Sequence, residues 1–138
     1  MLKRVDHIGV AVHSLESVKK MYREVFDLQP VFEEEVPDQK VKVVGFKIGE
    51  TNVEYLEPLA ADSPISGFLN KKGEGLHHVA YNVTDIRALL HRMKQSGVRL
   101  IDEEPRIGAE GKLIAFVHPK GMNGVLLELS QDMAGDED

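Results

Sequence analysis

Two stretches of the chain share one alternation of apolar and polar positions. Residues 6–12 read Asp-His-Ile-Gly-Val-Ala-Val. Residues 77–83 read His-His-Val-Ala-Tyr-Asn-Val, 71 positions further on (His7 to His78). Successive side chains of a β-strand point to opposite faces. In the first stretch Ile8, Val10 and Val12 share a face, opposite His7, Gly9 and Ala11. In the second, Val79, Tyr81 and Val83 oppose His78, Ala80 and Asn82. One face is bulky and suits a packed helix. The other carries a histidine followed by small residues, which leaves space.

At the same offset each stretch is followed by a cap and a helix. Ser14 predicts an N-cap ahead of a stripe formed by Leu15, Val18, Met21, Tyr22 and Val25. Asp85 predicts the second cap, ahead of Ile86, Leu89, Leu90 and Met93, and Gly97 suits the left-handed C′ position. Each half then returns as strands. Val41–Ile48 and Asn52–Leu56 flank a hairpin at Gly49-Glu50-Thr51. Lys112–His118 and Val125–Ser130 flank a longer turn. Asp62-Ser63-Pro64-Ile65 opens a short helix through Phe68 and Leu69, and Lys71–Gly75 is expected to link the halves. The repeat therefore predicts an α+β fold of two modules, 1–70 and 71–138, within one compact domain.

Composition narrows the chemistry. There is no cysteine among the 138 residues, which removes disulfides, thiolate metal sites and a cysteine nucleophile; any metal must sit on His, carboxylate or amide oxygen. The net charge of −6 argues against nucleic acid, which needs a basic surface. No apolar run approaches the roughly 20 residues of a membrane span. The N-terminus resembles neither a signal nor a transit peptide, so the expected location is cytoplasmic. Residues Met133–Asp138 read as a frayed acidic tail.

Alternation in the later strands adds a carboxylate to each half. Glu54 shares a face with Leu56, opposite Val53 and Tyr55. Glu128 shares one with Leu126 and Ser130, opposite Val125, Leu127 and Leu129. A glutamate in a half-buried strand is costly unless its charge is paired or bound to a cation. Each half thus supplies one early His and one late Glu. If the halves pair about a pseudo-twofold axis, His7, Glu54, His78 and Glu128 converge. Two imidazoles and two carboxylates suit a divalent ion such as Co²⁺, Mn²⁺, Mg²⁺, Zn²⁺ or Ni²⁺, with two octahedral positions left for a bidentate oxygen ligand. His77, at the position of Asp6, points the other way, and a structural role or support of a metal ligand is expected for it. His13 and His91 read as surface residues. Arg106, Lys112, His118 and Lys120 form a local basic group in an acidic chain, candidates for phosphate contact.

The repeat resembles the vicinal oxygen chelate superfamily, which includes glyoxalase I, extradiol dioxygenases and methylmalonyl-CoA epimerases. Similarity to the epimerase family runs from about Val5 to Gln131. It is carried by residues 6–12, by Val-Glu-Tyr-Leu-Glu-Pro-Leu at 53–59 and by Asp-Ser-Pro-Ile at 62–65. It continues through Gly-Leu-His-His-Val-Ala at 75–80, Glu-Glu-Pro-Arg-Ile-Gly-Ala-Glu-Gly-Lys at 103–112, Phe-Val-His-Pro-Lys at 116–120 and Gly-Val-Leu-Leu-Glu-Leu at 124–129. The resemblance implies paired βαβββ modules curled into a U-shaped, half-open barrel around a metal, with helices outside. It implies ligands at His7, Glu54, His78 and Glu128, a homodimer, and an acyl-CoA substrate. The implied reaction is interconversion of (R)- and (S)-methylmalonyl-CoA by C2 deprotonation and reprotonation through a metal-stabilised enolate. Family members carry Gln or Glu at the position of Glu54. Some place a candidate basic Glu where this chain has Val43.

Inversion needs proton access on both faces of C2, and Glu54 and Glu128 are candidate bases if one loosens from the metal; a bound water competes, since ligated carboxylates are poor bases. A glyoxalase-I-like enzyme is the nearest alternative, and the epimerase-like phrases of the second half argue against it. An extradiol dioxygenase uses two His and one Glu around Fe(II), so a fourth ligand disfavours it. A metal-free binding protein of this fold has no need of the four.

Overall fold

The computed structural model describes residues 1–133; residues 134–138, which hold most of the acidic tail, lie outside the described residues. The chain divides into two compact units. The first spans His7–His77; the second combines Met1–Asp6 with the chain from His78 onward.

The first unit contains the end of β1 (Leu2–Ala11), α1 (Leu15–Val25), β2 (Phe32–Val36), β3 (Val41–Ile48), β4 (Thr51–Pro58) and α2 (Pro64–Lys72). Its strands lie in the order β2-β3-β4-β1. The β2–β3 and β3–β4 pairs are antiparallel, and β4–β1 is parallel. The second unit repeats this plan with β5 (Gly75–Val83), α3 (Ile86–Gln95), β6 (Arg106–Ile107), β7 (Leu113–Val117) and β8 (Leu127–Gln131), in the order β6-β7-β8-β5. The fold is α+β, as the repeat predicts, and each unit is a βαβββ module, as the family resemblance implies. No helix among the described residues is long and apolar enough to cross a membrane.

Each helix starts where the side-chain chemistry says it should. Ser14 Oγ accepts from Ser17 N–H at 3.2 Å, and Asp85 Oδ1 accepts from Ala88 N–H at 3.1 Å. Gly97 follows α3 with φ 80°, the left-handed value that a Cβ opposes. The bulky strand faces pack under the helices. In the first unit Val12, Leu15, Val18, Tyr22, Val44 and Phe46 form the core, with the Tyr22 and Phe46 rings stacked 3.9 Å apart. In the second, Val83, Ile86, Leu90, Val117, Leu127 and Leu129 do the same. Burying each such side chain contributes roughly 1.5–3 kcal/mol.

Several local expectations change. Met21 and Val25 are 44% and 67% exposed, because the i, i+3, i+7 series of Leu15, Val18 and Tyr22 already covers the strip of α1 that meets the sheet. Lys71 and Lys72 belong to α2, which ends at Gly73, so the link before β5 shortens to Gly73 and Glu74. Val125 belongs to the turn rather than to β8: Gly124 N–H donates to Pro119 and Val125 N–H to Met122. The edge strands β2 and β6 are additions, since the sequence pattern marks neither.

Candidate active site

In the first unit, parallel pairing of β1 with β4 sets Gly9 beside Glu54, and antiparallel pairing sets Gly45 on its other side. Neither flanking residue carries a Cβ, and the Phe32 ring of β2 covers the Gly45 side, so Glu54 turns along the face it shares with His7. His7 Nδ1 and Glu54 Oε2 lie 3.3 Å apart, both buried. In the second unit Glu128 stands between Ala80 and Phe116 in register. Its Oε1 lies 3.1 Å from His78 Nε2, again with both residues buried, and the Phe116 ring meets the His78 ring edge-on at 5.7 Å.

Each unit therefore holds one imidazole–carboxylate pair on the sheet face that its core helix, α1 or α3, does not cover. The donor chemistry fits a divalent cation. Two ligands at right angles on an ion with bonds of about 2.1 Å stand roughly 3.0 Å apart, close to both separations. A buried carboxylate also requires a compensating positive charge.

The cationic candidates have separate surroundings within the second unit. Arg106 Nε is 3.6 Å from Asp102 Oδ1, and its guanidinium lies 5.8 Å from the Phe116 ring centroid. Lys112 Nζ is 3.3 Å from Asp6 Oδ1 and 3.5 Å from Asp132 Oδ1. Burial alone lowers the lysine pKa, but Asp6, Glu110 and Asp132 together hold the ammonium charged, above its ordinary value. His118 caps the short 3-10 turn at Pro119–Gly121, its Nδ1 accepting from Lys120 N–H at 3.0 Å. Partial desolvation, then the positive charges of Arg99 and Lys120, lower its pKa. Lys120 is exposed, as are His13 and His91; His77 is half-buried with its ring edge-on to Phe68 at 5.0 Å.

Two features escape the sequence pattern. One is a buried polar network. Arg4 lies 3.6 Å from Asp6 and 3.9 Å from Asp132, and Asn82 Nδ2 donates to Asp132 at 3.3 Å. It joins residues distant in sequence, so no local signal announces it. The other is β2. Its Phe32-Glu-Glu-Glu-Val36 run hides a period-2 strand behind consecutive charges; the only signal was the apolar pair four positions apart.

Comparison with known proteins places these observations. Residues 6–116 match the Glyoxalase/Bleomycin resistance protein/Dioxygenase superfamily. The chain is 41% identical over 133 residues to an ethylmalonyl-CoA/methylmalonyl-CoA epimerase of Cereibacter sphaeroides, covering 95% of this chain and 99% of that protein. It is 43% identical over 131 residues to the mitochondrial methylmalonyl-CoA epimerase of Mus musculus, covering 94% and 74%. Among solved structures, a variant of the Streptomyces coelicolor methylmalonyl-CoA epimerase in complex with 2-nitronate-propionyl-CoA is 35% identical, with a TM-score of 0.93 and full coverage of both chains.

Proposed function

Because the chain belongs to the Glyoxalase/Bleomycin resistance protein/Dioxygenase superfamily, we propose that it is a metal-dependent isomerase that interconverts (R)- and (S)-methylmalonyl-CoA. The observation that carries this reading is the duplicated pair: a buried His and a buried Glu, 3.3 and 3.1 Å apart, at matching places in two βαβββ units. Full-length similarity to epimerases supports the substrate class.

His7, Glu54, His78 and Glu128 are the residues we assign as ligands to a divalent ion. Bound there, the ion supplies Lewis acidity toward the thioester oxygen, where negative charge grows as the C2 proton leaves. The chain's own groups do the rest. Buried strands hold the four side chains in place; Gly9 puts no side chain on one flank of Glu54, and the Phe32 ring covers Gly45 on the other. Either Glu54 or Glu128, loosened from the ion, is a candidate for handling the proton. For the CoA phosphates we assign the group Arg106, Lys112, His118 and Lys120. Exposed Lys120 is its most available member, whereas Lys112 is neutralised by Asp6 and Asp132. The working assembly is a cytoplasmic homodimer.

Proton exchange at C2 of methylmalonyl-CoA in D₂O, followed by NMR after chelation and metal re-addition, tests the reading. Deuterium uptake with racemisation that appears only with metal is expected. Folded protein that takes up no deuterium with any of Co²⁺, Mn²⁺, Mg²⁺, Zn²⁺ or Ni²⁺ refutes it.

A further inference from the structure

Epimerisation needs an acid–base group on each face of C2, and a carboxylate that lends its lone pairs to a cation is a weak base. The first unit offers another carboxylate. On β2, Glu33 points toward α1: Lys19 of that helix donates to Glu33 Oε2 at 2.9 Å. On β4, Glu57 also faces α1 and accepts from Leu15 N–H at 2.9 Å. Alternation then turns Glu34 to the opposite side, the side of His7 and Glu54. Register confirms it. Glu34 stands opposite Val43, Val43 opposite Leu56, and Gly45, two residues along β3, opposite Glu54. Among the strand residues of this unit, Glu34 and Glu54 are the two carboxylates on that face.

Its setting suits proton transfer. Glu34 is half-buried between Phe32 and Val36, above a floor formed by buried Val43 and Leu56. Side chains of β2 also lean inward across β3: the Phe32 ring covers Gly45 so closely that ring atoms Cδ1 and Cζ lie 2.8 Å from where a Cβ would stand. Glu34, two residues along β2 from Phe32, stands on the same face opposite Val43. The repeat places Arg106 at the same register position in the second unit, opposite Ile114 as Glu34 is opposite Val43. The two edge strands thus carry a carboxylate and a guanidinium at equivalent points.

We propose that Glu34 is the catalytic base for one face of the substrate, a role that rests on the epimerase reading above. Its carboxylate takes the C2 proton as the C2–H bond breaks, and the electron pair moves onto the thioester oxygen. A second acid, a carboxyl group or a water on the opposite face, gives C2 a proton. Glu34 then returns its proton to solvent and the second acid regains one.

The test supplies (R)- and (S)-methylmalonyl-CoA separately to the metal-loaded protein in D₂O and follows C2 exchange by NMR. Glu34→Gln is expected to slow exchange from one enantiomer by about 100-fold or more, the range for loss of a positioned base. Exchange from the other enantiomer, and Mn²⁺ affinity by calorimetry, stay nearly unchanged. Glu34→Asp shows the same asymmetry at smaller size, and Glu35→Gln, on the α1-facing side, leaves both rates intact. Equal slowing of both enantiomers marks a structural role and overturns the proposal, as does unaltered exchange in Glu34→Gln. Wild-type protein without exchange sinks the epimerase reading and this role with it; full wild-type exchange with an unaffected Glu34→Gln removes Glu34 alone.

Discussion

Replacing Lys112 with methionine separates structure from substrate contact. The lysine ammonium sits within 3.5 Å of two carboxylates whose side chains are only 5% and 11% exposed, and it is itself 18% exposed. Taking away one partner of a buried ion pair costs about 3–5 kcal/mol, because the remaining charge stays desolvated. Here Arg4 remains, at 3.6 and 3.9 Å, but its side chain is 37% exposed and solvent screens it. Methionine also keeps most of the apolar stem packed. The expected loss is therefore about 2–3 kcal/mol, a fall of roughly 7–10 °C in Tm for a domain of this size.

The assay is urea and thermal unfolding by circular dichroism, with chelator and without substrate. The pH profile follows from the raised lysine pKa. A group charged more readily when folded contributes stability that is complete below its unfolded value, 10.5, and fades as pH rises through the higher folded value. The gap between wild type and Lys112→Met should thus hold steady from pH 7 to about 10 and close above 10.5. A loss below about 1 kcal/mol at pH 7, or a gap that does not narrow in alkali, refutes the network argument.

Two further outcomes follow from the same geometry. His78→Ala should weaken divalent-metal binding by more than the 10–100-fold typical of outer-shell changes, measured by calorimetry on protein shown to be folded; unchanged affinity removes His78 from the ligand set. Gly45→Ala drives a Cβ into the Phe32 ring, so it should cost about 1–3 kcal/mol by overpacking, read from the urea midpoint at constant slope, and displacement of β2 should lower epimerase turnover as well.

Much of the molecule was legible because its signals are local. The caps at Ser14 and Asp85, the break at Gly97 and the strands flanking Gly49 each follow from one residue's backbone or hydrogen-bonding preference. The duplicated alternation set the α+β class and put His7 with Glu54, and His78 with Glu128, on the face away from the bulky residues. Period 2 leaves a side chain only two directions, so a strand once recognised fixes its faces.

What tertiary structure decided depends on pairing between strands remote in sequence. Three consecutive glutamates carry no strand signal, yet β3 captures residues 32–36 as an edge strand, and only the register of Glu34 against Val43 shows which face that carboxylate joins. Lys112 reads as one of four members of a basic group, yet folding sets its ammonium against Asp6, 106 residues away. Alternation is written into the order of residues because it is a property of one strand. Register and buried charge pairing are properties of two chain segments at once, and they come into being only when the segments meet.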